Sequence, residues 1–108
     1  MDELQSEILA DLTLEVKDDA SFSSSKLQQK IKNAIREVRR IRKYPVTYTE
    51  EQIKEDMYKF YSNIRNVALY DYNKIGAEGQ EEHLEGGITR VYEDRNKLFR
   101  GVLPLSRL

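Results

Sequence analysis

The 108-residue sequence contains no cysteine and no tryptophan, one histidine and two prolines. Without cysteine there are no disulfides, thiolate zinc sites or cysteine nucleophiles, which fits a reducing compartment. No apolar run approaches the ~20 residues that a membrane span needs, so no membrane association is expected. The start, Met-Asp-Glu-Leu-Gln, is acidic where a signal peptide requires positive charge. A protein made and kept in aqueous surroundings is the expectation. Net charge is also nearly absent, at −1, so no bulk field draws the chain toward a polyanion.

The charge that is present is segregated. Residues 1–20 hold seven acids against Lys17, whereas residues 26–43 hold eight bases (Lys26, Lys30, Lys32, Arg36, Arg39, Arg40, Arg42, Lys43) against Glu37. Residues 78–85 turn acidic again through Glu78, Glu81, Glu82 and Glu85. With 39% hydrophobic and 34% charged residues, one modest core is expected, and the length suits a single domain spanning 1–108.

Periodicity predicts a small, mainly α bundle of about three main helices and a short C-terminal helix. Leu4, Ile8, Leu9 and Leu12 recur at helical spacing, so a helix is expected from residue 2 to about 14. Ser and Asp residues then make a loop whose last serines are good N-caps. On the second helix Leu27, Ile31, Ala34, Ile35, Val38 and Ile41 form one stripe, and seven of the eight bases cover the opposite face. It must stop near Tyr44, because the residue before Pro45 is driven from the helical region. Thr49 and Gln52 form a capping box. From there Ile53, Met57, Phe60, Tyr61, Ile64, Val67, Ala68 and Ile75 predict one long helix ending at Gly76, the longest element and the spine. Three glycines and the alternation through Ile88, Arg90 and Tyr92 predict a β-hairpin or ordered loop in 77–93. A last short helix is expected within 96–103.

No catalytic constellation emerges. His83 stands among Glu81, Glu82 and Glu85 without a closed ligand set, so it reads as a solvated loop residue, and no phosphate loop or dinucleotide fingerprint is present. The expectation is no enzyme, no cofactor and no metal. Three readings compete for the basic helix: a solvated face, a face paired with acids of this or a neighbouring subunit, and a phosphate-contacting face. Asp71 falls within the apolar stripe; its turn is exposed, or it accepts hydrogen bonds from the loop after Gly76. Tyr58, Tyr61, Tyr70 and Tyr72 exceed what one stripe buries, and tyrosine suits interfaces that are apolar on one side and wet on the other.

From Tyr72 to Asp94 the chain reads YNKIGAEGQEEHLEGGITRVYED. This stretch resembles the head-tail connector (adaptor, DNA-packaging) family of tailed bacteriophages, through Tyr72, Asn73, Lys74, Ile75, Gly76, Glu78, Gly79, Glu85, Gly86, Gly87 and Tyr92. Where that family often carries Ser-His-Ser, this chain has Glu81, Glu82, His83 and Leu84. The resemblance implies a structural subunit in a ring, expected twelvefold, between the portal protein and a stopper or tail-completion protein. DNA would pass through the bore without sequence-specific binding. It further implies assembly in the host cytoplasm, then residence at the virion's head-tail junction. The expected interface residues are Lys32, Arg36, Arg39, Arg40 and Lys43 on the basic helix, Tyr58 and Tyr70, and Leu98, Phe99, Arg100 and Leu103 in a tail, 94–108, expected to be mobile until a partner orders it; the other reading of the tail is that its apolar residues close the subunit's own core. The alternative is a small nucleic-acid-binding module that uses the basic helix 25–44.

Overall fold

The computed structural model describes residues 2–74 and 95–105, and it is a mainly helical bundle. In chain order it has α1 (Asp2–Val16), α2 (Ser24–Arg42), α3 (Glu50–Tyr58) and α4 (Tyr61–Asn73), then one helical turn at residues 95–97. No strand occurs among the described residues. The expected hairpin and Gly76 lie outside them.

Local chemistry sets most boundaries. Ser23 is extended (φ −139°, ψ 112°), and its hydroxyl accepts from the Lys26 N–H, which starts α2. At the other end Lys43 adopts a left-handed conformation (φ 52°) and donates its N–H to the Arg39 carbonyl at 3.3 Å, so α2 stops just before Tyr44 and Pro45. The Thr49 box is reciprocal: the Gln52 N–H donates to Thr49 Oγ1 at 3.1 Å and the Thr49 N–H to Gln52 Oε1 at 2.8 Å. Thr49→Ala should therefore cost about 1 kcal/mol in urea denaturation; an unchanged midpoint would mean that the cap is dispensable.

The single long helix expected from Thr49 to Ile75 is two helices. At Lys59 and Phe60 the N–H groups bond three residues back, to Asp56 O at 3.0 Å and Met57 O at 2.9 Å, and Phe60 leaves helical geometry (φ −107°, ψ 21°). The reason is tertiary. Asp56 is held by Arg42 on α2, and the Phe60 ring lies 4.9 Å from the same guanidinium. The bend keeps both on Arg42 while α4 turns to lie along α2. Among the described residues the 19-residue α2, not the third helix, is the longest element and the spine.

The core joins Leu4, Ile8 and Leu12 of α1 to Leu27, Ile31, Ala34, Ile35 and Val38 of α2, Ile53 and Met57 of α3, and Ile64, Val67, Ala68 and Tyr72 of α4. Val102 completes it from the tail. Of the tail, residues 95–105 are held against the bundle. The Asn63 amide donates to the carbonyls of Leu98 (2.8 Å) and Arg100 (3.1 Å), Arg42 Nη1 donates to Leu103 O (2.9 Å), and the Leu105 N–H donates to Arg42 O (2.7 Å). The short helix expected in 96–103 is the turn at residues 95–97 followed by hydrogen-bonded turns to Gly101. Gly101 supplies the positive φ (87°) that redirects Val102 inward.

Candidate interaction surface

Three sets of ionic contacts decide which charges remain available to a partner. On α1, Glu3, Glu7, Asp11 and Glu15 follow one another at four-residue spacing and therefore share an edge. That edge meets Lys54 and Tyr58 of α3 and Tyr61 and Arg65 of α4. Lys54 Nζ is 2.9 Å from Glu3, the Tyr61 hydroxyl is 3.0 Å from Asp11, and Arg65 pairs with Asp11 (3.0 Å) and with Glu15. The Arg65 hydrogen bond holds the Asp11 carboxyl below its ordinary pKa, and Lys54 does the same for Glu3. Burial, then the bond to Asp11, pushes the Tyr61 phenol up to about 12. Burial followed by the neighbouring Glu7 raises Tyr58 as well.

The second set is centred on Asp56, the buried charged residue among those described. Arg42 grips both carboxylate oxygens at 2.8 Å, and the Tyr44 hydroxyl donates to one of them at 2.6 Å. Burial opposes ionisation of Asp56, but the bonds from Arg42 and Tyr44 outweigh it and keep the pKa below the ordinary value. Burial and the Asp56 carboxylate push Tyr44 far up, so it stays a donor.

In the third set Arg95 bridges two helices. It bonds Asp71 of α4 through two contacts of 2.8 Å, and Glu37 of α2 at 2.5 and 3.1 Å, with its guanidinium 5.4 Å from the Phe99 ring. Both carboxylates hold the guanidinium charged. Asp71 is thus half-buried, its side chain 18% exposed, and its partner among the described residues is Arg95. Among the described residues no buried side-chain polar atom lacks a hydrogen bond.

Once these pairs are assigned, α2 is left with an outward cationic face. Lys32, Arg36, Arg40 and Lys43 are exposed; with Lys26 and Lys30 they make no ion pair to any described residue. Arg39, also an expected interface residue, reaches Glu50 at 3.3 Å across an exposed contact of little energetic weight. The acids of α1 therefore do not neutralise the bases of α2, and the one acid of α2, Glu37, is taken by Arg95.

The other expected interface residues divide. Tyr58 and Tyr70 are half-buried at the edges of α3 and α4, and Tyr70 stacks with Lys74 at 5.0 Å. Leu98 and Phe99 pack on the core, whereas Arg100 and Leu103 stay exposed. Of the motif, Tyr72 is buried and its hydroxyl accepts the Ser23 N–H at 3.0 Å, which ties the end of α4 to the start of α2, while Asn73 is exposed. Gly76, Glu78, Gly79, Gly86, Gly87, Tyr92 and His83 lie outside the described residues.

Sequence analysis singled out neither Asp56 nor Arg95. The signal for Arg42 was present, since it is the one base of eight on the apolar side of α2. Among the described residues no group of His, Asp and Glu could hold a metal, and no helix is long and apolar enough to cross a membrane. Comparison with known protein families, with curated proteins and with solved structures finds no match.

Proposed function

We propose that this chain is a non-catalytic structural subunit of a tailed-phage head-tail connector. It would sit in a twelvefold ring beneath the portal protein and above a stopper or tail-completion protein, with genomic DNA passing through the bore. Assembly would take place in the host cytoplasm and the product would be carried in the virion. The resemblance from Tyr72 to Asp94 supplies the identity of the assembly.

The observation that carries the reading is the division of charge between the helices. The acidic edge of α1 is satisfied within the chain, whereas the opposite face of α2 keeps its cations outward. A ring subunit makes heterologous contacts, which need two unlike surfaces, and charge complementarity fixes their register. The unpaired cations also favour the second reading, a nucleic-acid module that uses α2.

One experiment separates them. The purified chain is mixed with a purified tailed-phage portal protein and followed by light scattering and electron microscopy. The chain alone should be monomeric at micromolar concentration and should form a ring on the portal, whose repeated sites raise the effective concentration of neighbours. A stable ring without portal would show the templating idea to be wrong. Failure to bind portal, together with a sequence-specific DNA complex at physiological salt, would replace this reading with the second.

A further inference from the structure

Lys32, Arg36 and Arg40 lie at four-residue spacing on the exposed side of α2, with Lys43 beyond them, a row about 16 Å long at 1.5 Å per residue. Like charges at this spacing repel one another and weaken a helix. Nothing in the described chain offsets that repulsion. At the end of the row the chain turns through Pro45 and leaves Val46 fully exposed, at 102%. There a shallow cleft of about 470 Å³ is lined by Arg40, Lys43, Tyr44, Val46 and Tyr48 together with the exposed Arg39–Glu50 pair, and the two tyrosine rings are 5.8 Å apart. The surface is thus a cation row that runs into a mixed notch, where Val46 and two tyrosine rings sit beside charged side chains.

The same molecule shows what such a row fits. Its own acidic row on α1, also at four-residue spacing, docks against Lys54 and Tyr58 of α3 and Tyr61 and Arg65 of α4, so a charged helix row of this pitch is matched by cations and phenols on packed helices. That acidic row is already engaged and is not the missing partner. A nucleic-acid backbone supplies anions but no aliphatic group for Val46, and a net charge of −1 adds no bulk attraction for a polyanion. We infer that the outward face of α2, from Lys32 to Lys43, and the notch at Val46 together dock an acidic helix of a partner protein. Its carboxylates recur every four residues, and an aliphatic side chain at its end fills the notch. The inference rests on this surface alone and stands whether or not the connector reading does.

The test uses the full chain and a labelled synthetic helical peptide of about five turns, with Glu at every fourth position and Leu at each end, followed by fluorescence anisotropy. The peptide should bind at low salt and weaken as salt rises. Arg36→Glu with Arg40→Glu should reduce affinity by at least about tenfold, and Val46→Ser should reduce it less. Melting should not fall, because none of these side chains has an ionic partner in the described chain and the row's own repulsion is relieved. Equal binding of a Gln-for-Glu peptide overturns the inference, as does no binding at low salt. Tighter binding of a short DNA duplex through Arg36 and Arg40 would also overturn it, in favour of nucleic acid.

Discussion

Deleting residues 95–108 is expected to unfold the bundle or to lower its melting temperature by tens of degrees. Removal of Arg95 leaves Glu37 and Asp71 as two partly buried carboxylates with their shared counter-charge gone, and stripping one partner from such a pair costs about 3 to 5 kcal/mol. Val102 leaves the core, and Leu98 and Phe99 uncover more of it, for roughly 2 kcal/mol or more of lost apolar burial. A loss of this size is comparable with the whole stability of a small domain, ~5 to 15 kcal/mol. Arg100→Ala with Leu103→Ala is the control, because both side chains are exposed and melting should stay near that of the parent. A truncated chain that melts like the full one, by circular dichroism, would show that the tail is only an appendage.

The second large effect belongs to Asp56. Asp56→Ala should cost about 3 to 5 kcal/mol, because it leaves the Arg42 guanidinium, 12% exposed, without its carboxylate and the Tyr44 hydroxyl without an acceptor. Replacing both partners, Arg42→Met with Asp56→Leu, should recover much of that loss, since two apolar side chains need no counter-charge. Its pH dependence has a fixed sign. The folded pKa of Asp56 lies below the ordinary value, so its contribution is complete above pH ~4 and is lost as pH falls through the folded value. Urea midpoints measured from pH 7 downward should therefore fall for the parent and change less for the double variant. Parallel curves would place the acid sensitivity elsewhere, for example at Asp11 and Glu3, whose pKa values are lowered as well.

The outward placement of the α2 cations was legible in the sequence. The helical wheel put Lys32, Arg36, Arg40 and Lys43 on the side away from the core, and they are exposed there. It could not show that the α1 acids would be engaged by Lys54, Tyr61 and Arg65, because those pairings join residues some 50 positions apart in the chain. Leu98 and Phe99 had equal claims as partner anchor or core, and composition does not distinguish the two. The Asn63 amide and Arg42, bonding the tail backbone, decided for the core.

By itself the sequence determined what short-range physics controls. The stripes of α1 and α2, the Ser23 and Thr49 caps and the stop before Pro45 each depend on residues within one or two turns of one another, where period, capping and φ restriction act. Only the tertiary structure decided where the third helix breaks, which carboxylates are buried and which cations stay outward. An apolar stripe has the same period whether or not the helix bends at Lys59, and a charge has the same sign whether or not a guanidinium from a distant segment reaches it. The choice at Asp56 and at Asp71 was made when packing brought Arg42 and Arg95 within 2.8 Å, where the hydrogen bonds offset the cost of removing a carboxylate from water.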